Sequence, residues 1–545
     1  MRHGGKILAD QLHKLGVRRV FSVPGESFLA ALDGLYESGI ENIVCRQEGG
    51  AAMMAEAQGK MSGAPGVCFV TRGPGATNAS AGIHIARQDS TPMVMFVGQI
   101  DRGHRDRGAF QEVDYRAMFG GLAKWVAEID RTDRLPEYIA RAFRVALSGR
   151  PGPVVLALPE DMLSDSADVA DYDGLVGVYP TPAPAAFDAI MAKLAEAERP
   201  LVVVGGPHWS PRAEADLKRF LEVQGLPAVA DFRRQSYLDN RHRSYAGDLN
   251  VGMAPALAAR VREADCLLLL GSRLGDIETR GYTLVDPAAP APTILQVHPD
   301  ADEIGQVYGP AAAVVATAPD ALEVLAGRAR LCGREDWTAA ARADYEAWRR
   351  PHPTPGDVKM EEIVHWLSDS LPEDAILTNG AGNYAAWLHR YFVFKGPGTQ
   401  LAPTSGSMGY GFPAAVSAAL QHPERVVVCM AGDGCFQMTL NEMSTAVQHG
   451  AAPIVVVCNN GQYGTIRMHQ ERHYPGRVSG TALANPDFAA LARAYGGHGE
   501  LVTRSEDFAD AFARARAAGV LAVIELRVDP EALSTGATLT ELRGS

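Results

Sequence analysis

What most limits the fold of this chain is a recurring rhythm. A short apolar run is followed by a glycine or polar turn and then by a helical stretch. Strand-sized apolar runs occur at 19–23, 41–46, 67–71, 93–98 and 154–158, with helical patterns between them, for example over 135–146. Strands that are apolar throughout and alternate with helices imply parallel sheets covered on both faces. The rhythm returns at 201–205, 266–270 and 293–297, with a helix expected over 211–224. It returns again at 375–378, 425–430, 453–458 and 523–527. P-T-P-A-P-A-A ends a linker over 171–186, and P-H-P-T-P-G at 351–356 makes a second break after a charged helical stretch. The expected fold class is α/β, with three doubly wound parallel-sheet domains at 1–170, 188–330 and 357–535. The length agrees, since 545 residues exceed one ordinary domain of roughly 100–200 residues.

Composition removes several function classes. With 47% hydrophobic and 21% charged residues the chain is globular, and its net charge of −13 disfavours binding to nucleic acid. The apolar runs are far below the roughly 20 residues of a membrane span. The seven cysteines, Cys45, Cys68, Cys266, Cys332, Cys429, Cys435 and Cys458, are odd in number, form no C-x-x-C and mostly sit in apolar runs. Buried thiols in a reducing compartment follow, and a cytoplasmic location is expected. No short-period repeat occurs, and G-G-P-H-W at 205–209 does not complete the G-x-G-x-x-G of a dinucleotide-binding oxidoreductase.

The strongest chemical signal lies near the C-terminus. A-G-D-G-C at 431–435 ends one apolar strand, and V-V-V-C-N-N-G-Q-Y-G at 455–464 contains the end of the next. Ligands of open α/β sheets bind at such carboxyl ends. Asp433 offers a carboxylate oxygen, Asn460 an amide oxygen and Gln462 a backbone carbonyl, a hard donor set suited to Mg²⁺. The glycines let backbone N–H groups approach an anion, and a helix is expected to start near Thr439.

With these motifs in view, the chain resembles the thiamine diphosphate enzymes, in particular the acetolactate synthase and 2-oxo-acid decarboxylase group. R-Q-E-G-G-A-A at 46–52, V-T-R-G-P-G-A-T-N at 70–78, D-S-T-P-M-V at 89–94 and T-S-G-S-M-G-Y-G at 404–411 carry the likeness through the first and third units. The resemblance implies pyrimidine-binding, central and diphosphate-binding domains, with active sites between the first domain of one subunit and the third of another. A homodimer or homotetramer is thus implied, as are thiamine diphosphate and Mg²⁺. Metal ligands by this resemblance are Asp433, Asn460 and Gln462. Gly434, Cys435, Asn383 and Tyr384 would hold the diphosphate, Met408 would prop the bent cofactor, and the Gly406 carbonyl would accept from its 4′-amino group. Pro24, Pro74 and Asn78 complete the cofactor-binding candidates. Met408 without its motif would simply be a core methionine.

Glu48 is the catalytic candidate. It falls between apolar Ile43–Val44–Cys45 and a Gly/Ala helix, a position that suggests desolvation and a carboxyl pKa raised toward neutrality. By the resemblance it exchanges a proton with the pyrimidine ring of the cofactor. Taken alone, Glu48 would be an ordinary acidic residue at a helix start, and Glu56 is expected to be structural.

The expected reaction is carboligation or lysis after decarboxylation of a 2-oxo acid, on a 2-oxo acid or 2-hydroxy ketone. The alternatives are a simple 2-oxo-acid decarboxylase, another acyltransferase or C–C lyase, and a cofactor-binding paralogue without turnover. The chain has no His-His pair of the decarboxylase kind, and Arg467 stands about where that kind carries a glutamate. F-Q-E-V-D at 110–114 and Lys124 look like acetolactate synthase, which makes Phe110, Gln111 and Lys124 substrate-site candidates; Lys124 reads equally as a surface residue. Glu26 departs from that kind, in V-P-G-E-S where it has P-G-G. An anion there would repel a 2-oxo-acid carboxylate unless paired or protonated, with Arg72 or a substrate amine as partner. FAD stays open: Arg150 and Arg273 match flavin-contacting positions, whereas His298 and Pro299 do not match.

Overall fold

A computed structural model describes residues 1–173, 177–331 and 333–543. Part of the linker read at 171–186, and Cys332, lie outside the described residues. The other six cysteines are buried free thiols. Among the described residues, three six-stranded sheets form, each parallel throughout.

The first sheet has the spatial order Glu41–Val44, Arg19–Ser22, Gly66–Val70, Met93–Gln99, Pro153–Pro159, Trp125–Glu128. The third sheet runs Gln400–Leu401, Ile376–Asn379, Val427–Gly432, Ile454–Asn459, Ala522–Arg527, His498–Val502. In chain order both read second, first, third, fourth, sixth, fifth. The two sheets are topological twins. The central sheet differs: Tyr245–Asp248, Ala228–Ala230, Pro200–Val204, Cys266–Leu270, Thr293–His298, Ala312–Val315. Short or polar edge strands such as Trp125–Glu128, Gln400–Leu401 and His498–Val502 lack the apolar runs that mark the inner strands.

The first and third units share one core. Helix Glu48–Ser62 is buried along most of its length, because Gly49 to Ala57 offer only small residues, two methionines and Glu56. It packs against helices Pro74–Asp89 and Gly411–Gln421. A Cβ on Gly82 would come within 2.4 Å of the Ala52 side chain, so glycine sets how closely the first two helices approach. The Ser417 hydroxyl donates to the Met54 carbonyl at 2.8 Å. Fully buried Glu56 accepts from Thr91 at 2.6 Å and from Tyr410 at 2.5 Å, which places it in structure as expected. The central unit is tied to both: Arg234 donates to the Asp89 carbonyl at 3.0 Å and Gln235 to the His389 carbonyl at 2.8 Å.

Candidate active site

Both twin sheets reverse their strand order at one point, and crevices open at the carboxyl ends of strands where order reverses. In the third sheet this point lies between Ile376–Asn379 and Val427–Gly432. A cavity of about 240 Å³ sits beside it. Asp433, Gly434, Cys435, Asn460 and Gln462 line one side, and Asn383, Tyr384, Gly406 and Met408 another. The motif residues from Asn383 to Gln462 thus line one cavity.

A five-residue helix, Asp433–Gln437, begins at Asp433 itself, and the helical stretch expected near Thr439 follows it as Leu440–Glu442 and Met443–Gln448. The strand ends at Gly432, so Asp433 opens the first turn. Its carboxylate is enclosed by donors: Gly434 N–H at 2.8 Å, Gly461 N–H at 2.8 Å and Asn485 Nδ2 at 2.7 Å. Burial pushes its pKa above the usual carboxylate range, and these N–H donors oppose the rise. Asn460 Oδ1 accepts from the Gln462 N–H at 3.2 Å. One carboxylate, one amide oxygen and a neighbouring carbonyl make a hard-oxygen set that fits Mg²⁺ with positions left for phosphate oxygens and water. Glycine is required at Gly434, where a Cβ would lie 2.5 Å from the Tyr463 ring. Gly406 has φ +66°, a left-handed backbone that favours glycine.

Asn383 and Tyr384 border the cavity but direct their polar ends into protein. Asn383 donates to the Leu533 carbonyl at 2.6 Å and accepts from Thr465 at 2.8 Å. The Tyr384 hydroxyl accepts from Gly380 N–H at 3.0 Å and meets Cys435 Sγ at 3.4 Å. Asn485 carried no motif, and only its contacts to Asp433 and Asn459 mark it.

Glu48 is not on this cavity. It starts helix Glu48–Ser62 at the carboxyl edge of the first sheet, half-buried rather than enclosed. The interior position that its apolar flanks suggested is thus not provided by its own chain. The Gln47 side chain caps the helix through Gly50 N–H at 3.1 Å, and Asn78 donates to Glu48 Oε2 at 3.0 Å. A Cβ on Gly75 would stand 3.4 Å from Glu48 Oε1, so the Pro74–Gly75 turn lies against the carboxylate. Pro24 is exposed on the neighbouring loop. Pro24, Pro74, Asn78 and Glu48 therefore gather on one edge, apart from the cavity.

The remaining candidates separate. Phe110 is exposed, and Gln111, at φ +65°, folds against Gly73. Glu112 pins their loop by accepting the N–H groups of Asp106 and Ala109 at 2.7 and 2.9 Å. Lys124 does not join them. Its ammonium donates to the carbonyls of Ser148 at 2.6 Å and Arg150 at 2.8 Å, and burial lowers its pKa to about 8. It supports a turn because backbone carbonyls take its donors.

Arg150 likewise turns inward, to Glu303 at 2.7 Å, Ser90 Oγ at 2.8 Å and the Arg87 carbonyl at 2.7 Å. Arg273 lies 3.6 Å from the same Glu303. The crevice at the reversal point of the central sheet, about 120 Å³, is lined by the guanidinium groups of Arg234 and Arg273, the glycine turns at Gly206 and Gly271, and the carboxyls of Asp231 and Glu278. Burial raises both carboxyls, for Asp231 against its hydrogen bond to Glu278, and for Glu278 together with the charge of Asp231. A dinucleotide needs roughly 300 Å³ or more and donors for its phosphates. The crevice is smaller than that, and Arg150 and Arg273 both face Glu303.

A cavity with a magnesium-type donor set at one sheet's reversal point, and a carboxylate at its twin's, define a two-domain cofactor enzyme with a third, linking unit. Models of the thiamine pyrophosphate enzyme N-terminal TPP binding domain, central domain and C-terminal TPP binding domain match residues 2–118, 187–325 and 380–526. The chain is 32% identical over 509 residues to the acetolactate synthase isozyme 2 large subunit of Escherichia coli (strain K12), covering 92% of this chain and 91% of that one. It is 32% identical over 537 residues to the acetolactate synthase large subunit of Corynebacterium glutamicum, covering 94% and 84%. The chain belongs to the thiamine pyrophosphate enzyme family. Among the described residues no helix is long and apolar enough to cross a membrane.

Proposed function

We propose that the chain is a thiamine diphosphate- and Mg²⁺-dependent carboligase of the acetolactate synthase kind. It decarboxylates a 2-oxo acid and transfers the remaining acyl unit to a second carbonyl compound. The observation that carries this reading is the convergence of Asp433, Asn460, Gln462, Gly406 and Met408 on one cavity. When bound, thiamine diphosphate supplies a nucleophilic thiazolium carbon and an electron sink. Asp433, Asn460 Oδ1 and the Gln462 carbonyl would hold Mg²⁺. Backbone N–H groups at Gly434 and Cys435 would face the diphosphate, Met408 would support the ring junction, and the Gly406 carbonyl would accept from the 4′-amino group.

Glu48, oriented by Asn78, would pass a proton to and from the pyrimidine N1′. Because Glu48 lies outside the cavity of its own chain, the assignment requires a second copy that presents its Glu48 edge to this cavity. The working form is accordingly a homodimer or a homotetramer, taken to be cytoplasmic. Burial against that copy would supply the desolvation that one chain lacks. We further propose that no flavin takes part.

The test is turnover by purified protein with thiamine diphosphate, Mg²⁺ and a panel of 2-oxo acids and 2-hydroxy ketones, with products identified by mass. Condensed 2-hydroxy-3-oxo acids or 2-hydroxy ketones are expected, with no flavin band in the absorbance spectrum. Aldehyde as the sole product would instead make it a simple decarboxylase, and bound cofactor without C2 proton exchange would make it an inactive paralogue.

A further inference from the structure

At the reversal point of the first sheet, two loops are locked together. Glu26 follows strand Arg19–Ser22, and Arg72 follows strand Gly66–Val70. Ser27 and Thr71 hydroxyls meet at 2.8 Å, and a Cβ on Gly25 would stand 2.4 Å from Thr71 Cβ. Thr71 also abuts Gly75, where the Glu48 carboxylate lies. The loops that carry Glu26, Arg72 and Glu48 are thus one contiguous surface.

Arg72 is 8% exposed and bridges two carboxylates, Glu26 at 3.1 Å and Glu160 at 2.9 Å. Its Nε has no hydrogen-bond partner. Glu26, by contrast, is 68% exposed. One guanidinium between two carboxylates leaves a net negative charge, and the cation is the buried member. Toward solvent the cluster offers an acceptor oxygen, not a carboxylate-binding fork. Beside it lies a cavity of about 210 Å³ lined by Glu26, Ser27, Asp101, Glu160 and Asp161, which extends the acidic surface.

Resting on the carboligase reading above, we infer that Glu26, held by Arg72, determines specificity. It favours a 2-oxo acid or 2-hydroxy ketone that carries a hydroxyl or ammonium group beyond the reacting carbonyl. A second carboxylate, or a bare methyl group as in pyruvate, gains nothing from it. Arg72 is a positioning residue: it fixes Glu26 and withholds its own charge from the substrate.

The experiment compares kcat/KM of the full-length holoenzyme on 3-hydroxypyruvate and on pyruvate, for wild type, Glu26→Gly and Glu26→Gln. Wild type should prefer the hydroxylated acid by at least about tenfold, since a site built to bond a hydroxyl discriminates against its absence. Glu26→Gly should lose that preference through KM, and Glu26→Gln, which keeps an acceptor oxygen, should retain part of it. Exchange of the cofactor C2 proton, followed in the same samples, should be unchanged in both variants. A substrate ratio that Glu26→Gly leaves unaltered overturns the assignment, whether or not the melting temperature falls. Absence of C2 exchange in wild type overturns the carboligase reading itself.

Discussion

Two reversal points with the same topology hold opposite chemistry. In the third sheet the crevice between Ile376–Asn379 and Val427–Gly432 opens into a cavity lined by glycines, aromatic and apolar side chains, amides and one carboxylate wrapped in N–H donors. In the first sheet the crevice between Arg19–Ser22 and Gly66–Val70 carries the charged Glu26–Arg72–Glu160 cluster, and Glu48 stands on its rim. Strand order decides where a ligand can reach backbone at strand ends. The residues placed there decide which part of a ligand is taken. On the proposed reading, the glycines of the third sheet would admit an anion and its metal, while the first sheet would supply proton-transfer and recognition groups.

The comparison breaks most directly if the two carboxylates are exchanged in role. Asp433→Ala should abolish turnover and weaken Mg²⁺ and thiamine diphosphate binding together, each by more than about tenfold, because a hard cation loses its only carboxylate. Glu48→Ala should leave both affinities within a few-fold and slow C2 proton exchange by roughly 10²–10⁴, the range of a lost proton-transfer group. Calorimetric titration and exchange by NMR measure the two effects. Equal losses of affinity in both variants would remove the division of labour.

One buried side chain ties the segment just before Glu48 to the third unit. Glu442, fully buried in the third unit, accepts the Gln47 N–H at 3.0 Å and the Arg46 N–H at 3.2 Å, and the Thr445 hydroxyl at 2.6 Å. Gly50 permits this approach, since a Cβ there would lie 2.4 Å from Glu442 Oε1. Burial raises the pKa of Glu442, opposed by these donors. Glu442→Ala leaves two backbone donors without a partner and should cost about 2–4 kcal/mol. Thermal melting should fall accordingly, and C2 exchange should slow as the segment before Glu48 loosens. Unchanged melting would show that the shared core alone holds the units together.

Legibility in the sequence follows the same division. Inner strands announce themselves because both faces are buried, and Cys266–Leu270 and helix Pro211–Gln224 match their apolar patterns. The G-D-G and N-N turns were legible because their residue types are dictated by close backbone approach. The pairing of Arg72 with Glu26 was one of two readings of V-P-G-E-S, and it forms. Contacts across units were not legible. Glu442 lies in a polar segment whose partners are some 395 residues away, and no local pattern encodes such a distance. Lys124 and Arg150 were misleading for a related reason: a motif fixes a residue type, whereas the donors' direction depends on carbonyls supplied by a turn elsewhere. The flanks of Glu48 suggested burial that its own chain does not supply.

The smallest expected effect concerns the third unit's other boundary, toward the central unit. His389 lies on helix Tyr384–Tyr391, edge-on to Phe232 at 6.5 Å, and its Nε2 has no hydrogen-bond partner. Burial, with the nearby Arg233 guanidinium, lowers its pKa to about 3, against about 6.5 in an unfolded chain. Between those values the unfolded chain binds a proton that the folded chain refuses. Stability from this residue is therefore complete above about pH 6.5 and declines as pH falls toward 3. His389→Gln removes the titration, so the loss of melting temperature between pH 7.5 and pH 5 should be smaller in the variant by about 4–8 °C, or roughly 2 kcal/mol for units of this size. The first unit has no part in this contact, so C2 exchange at pH 7.5 should stay at the wild-type rate. An equal acid slope in both proteins would mean that His389 is already solvated when the central and third units meet.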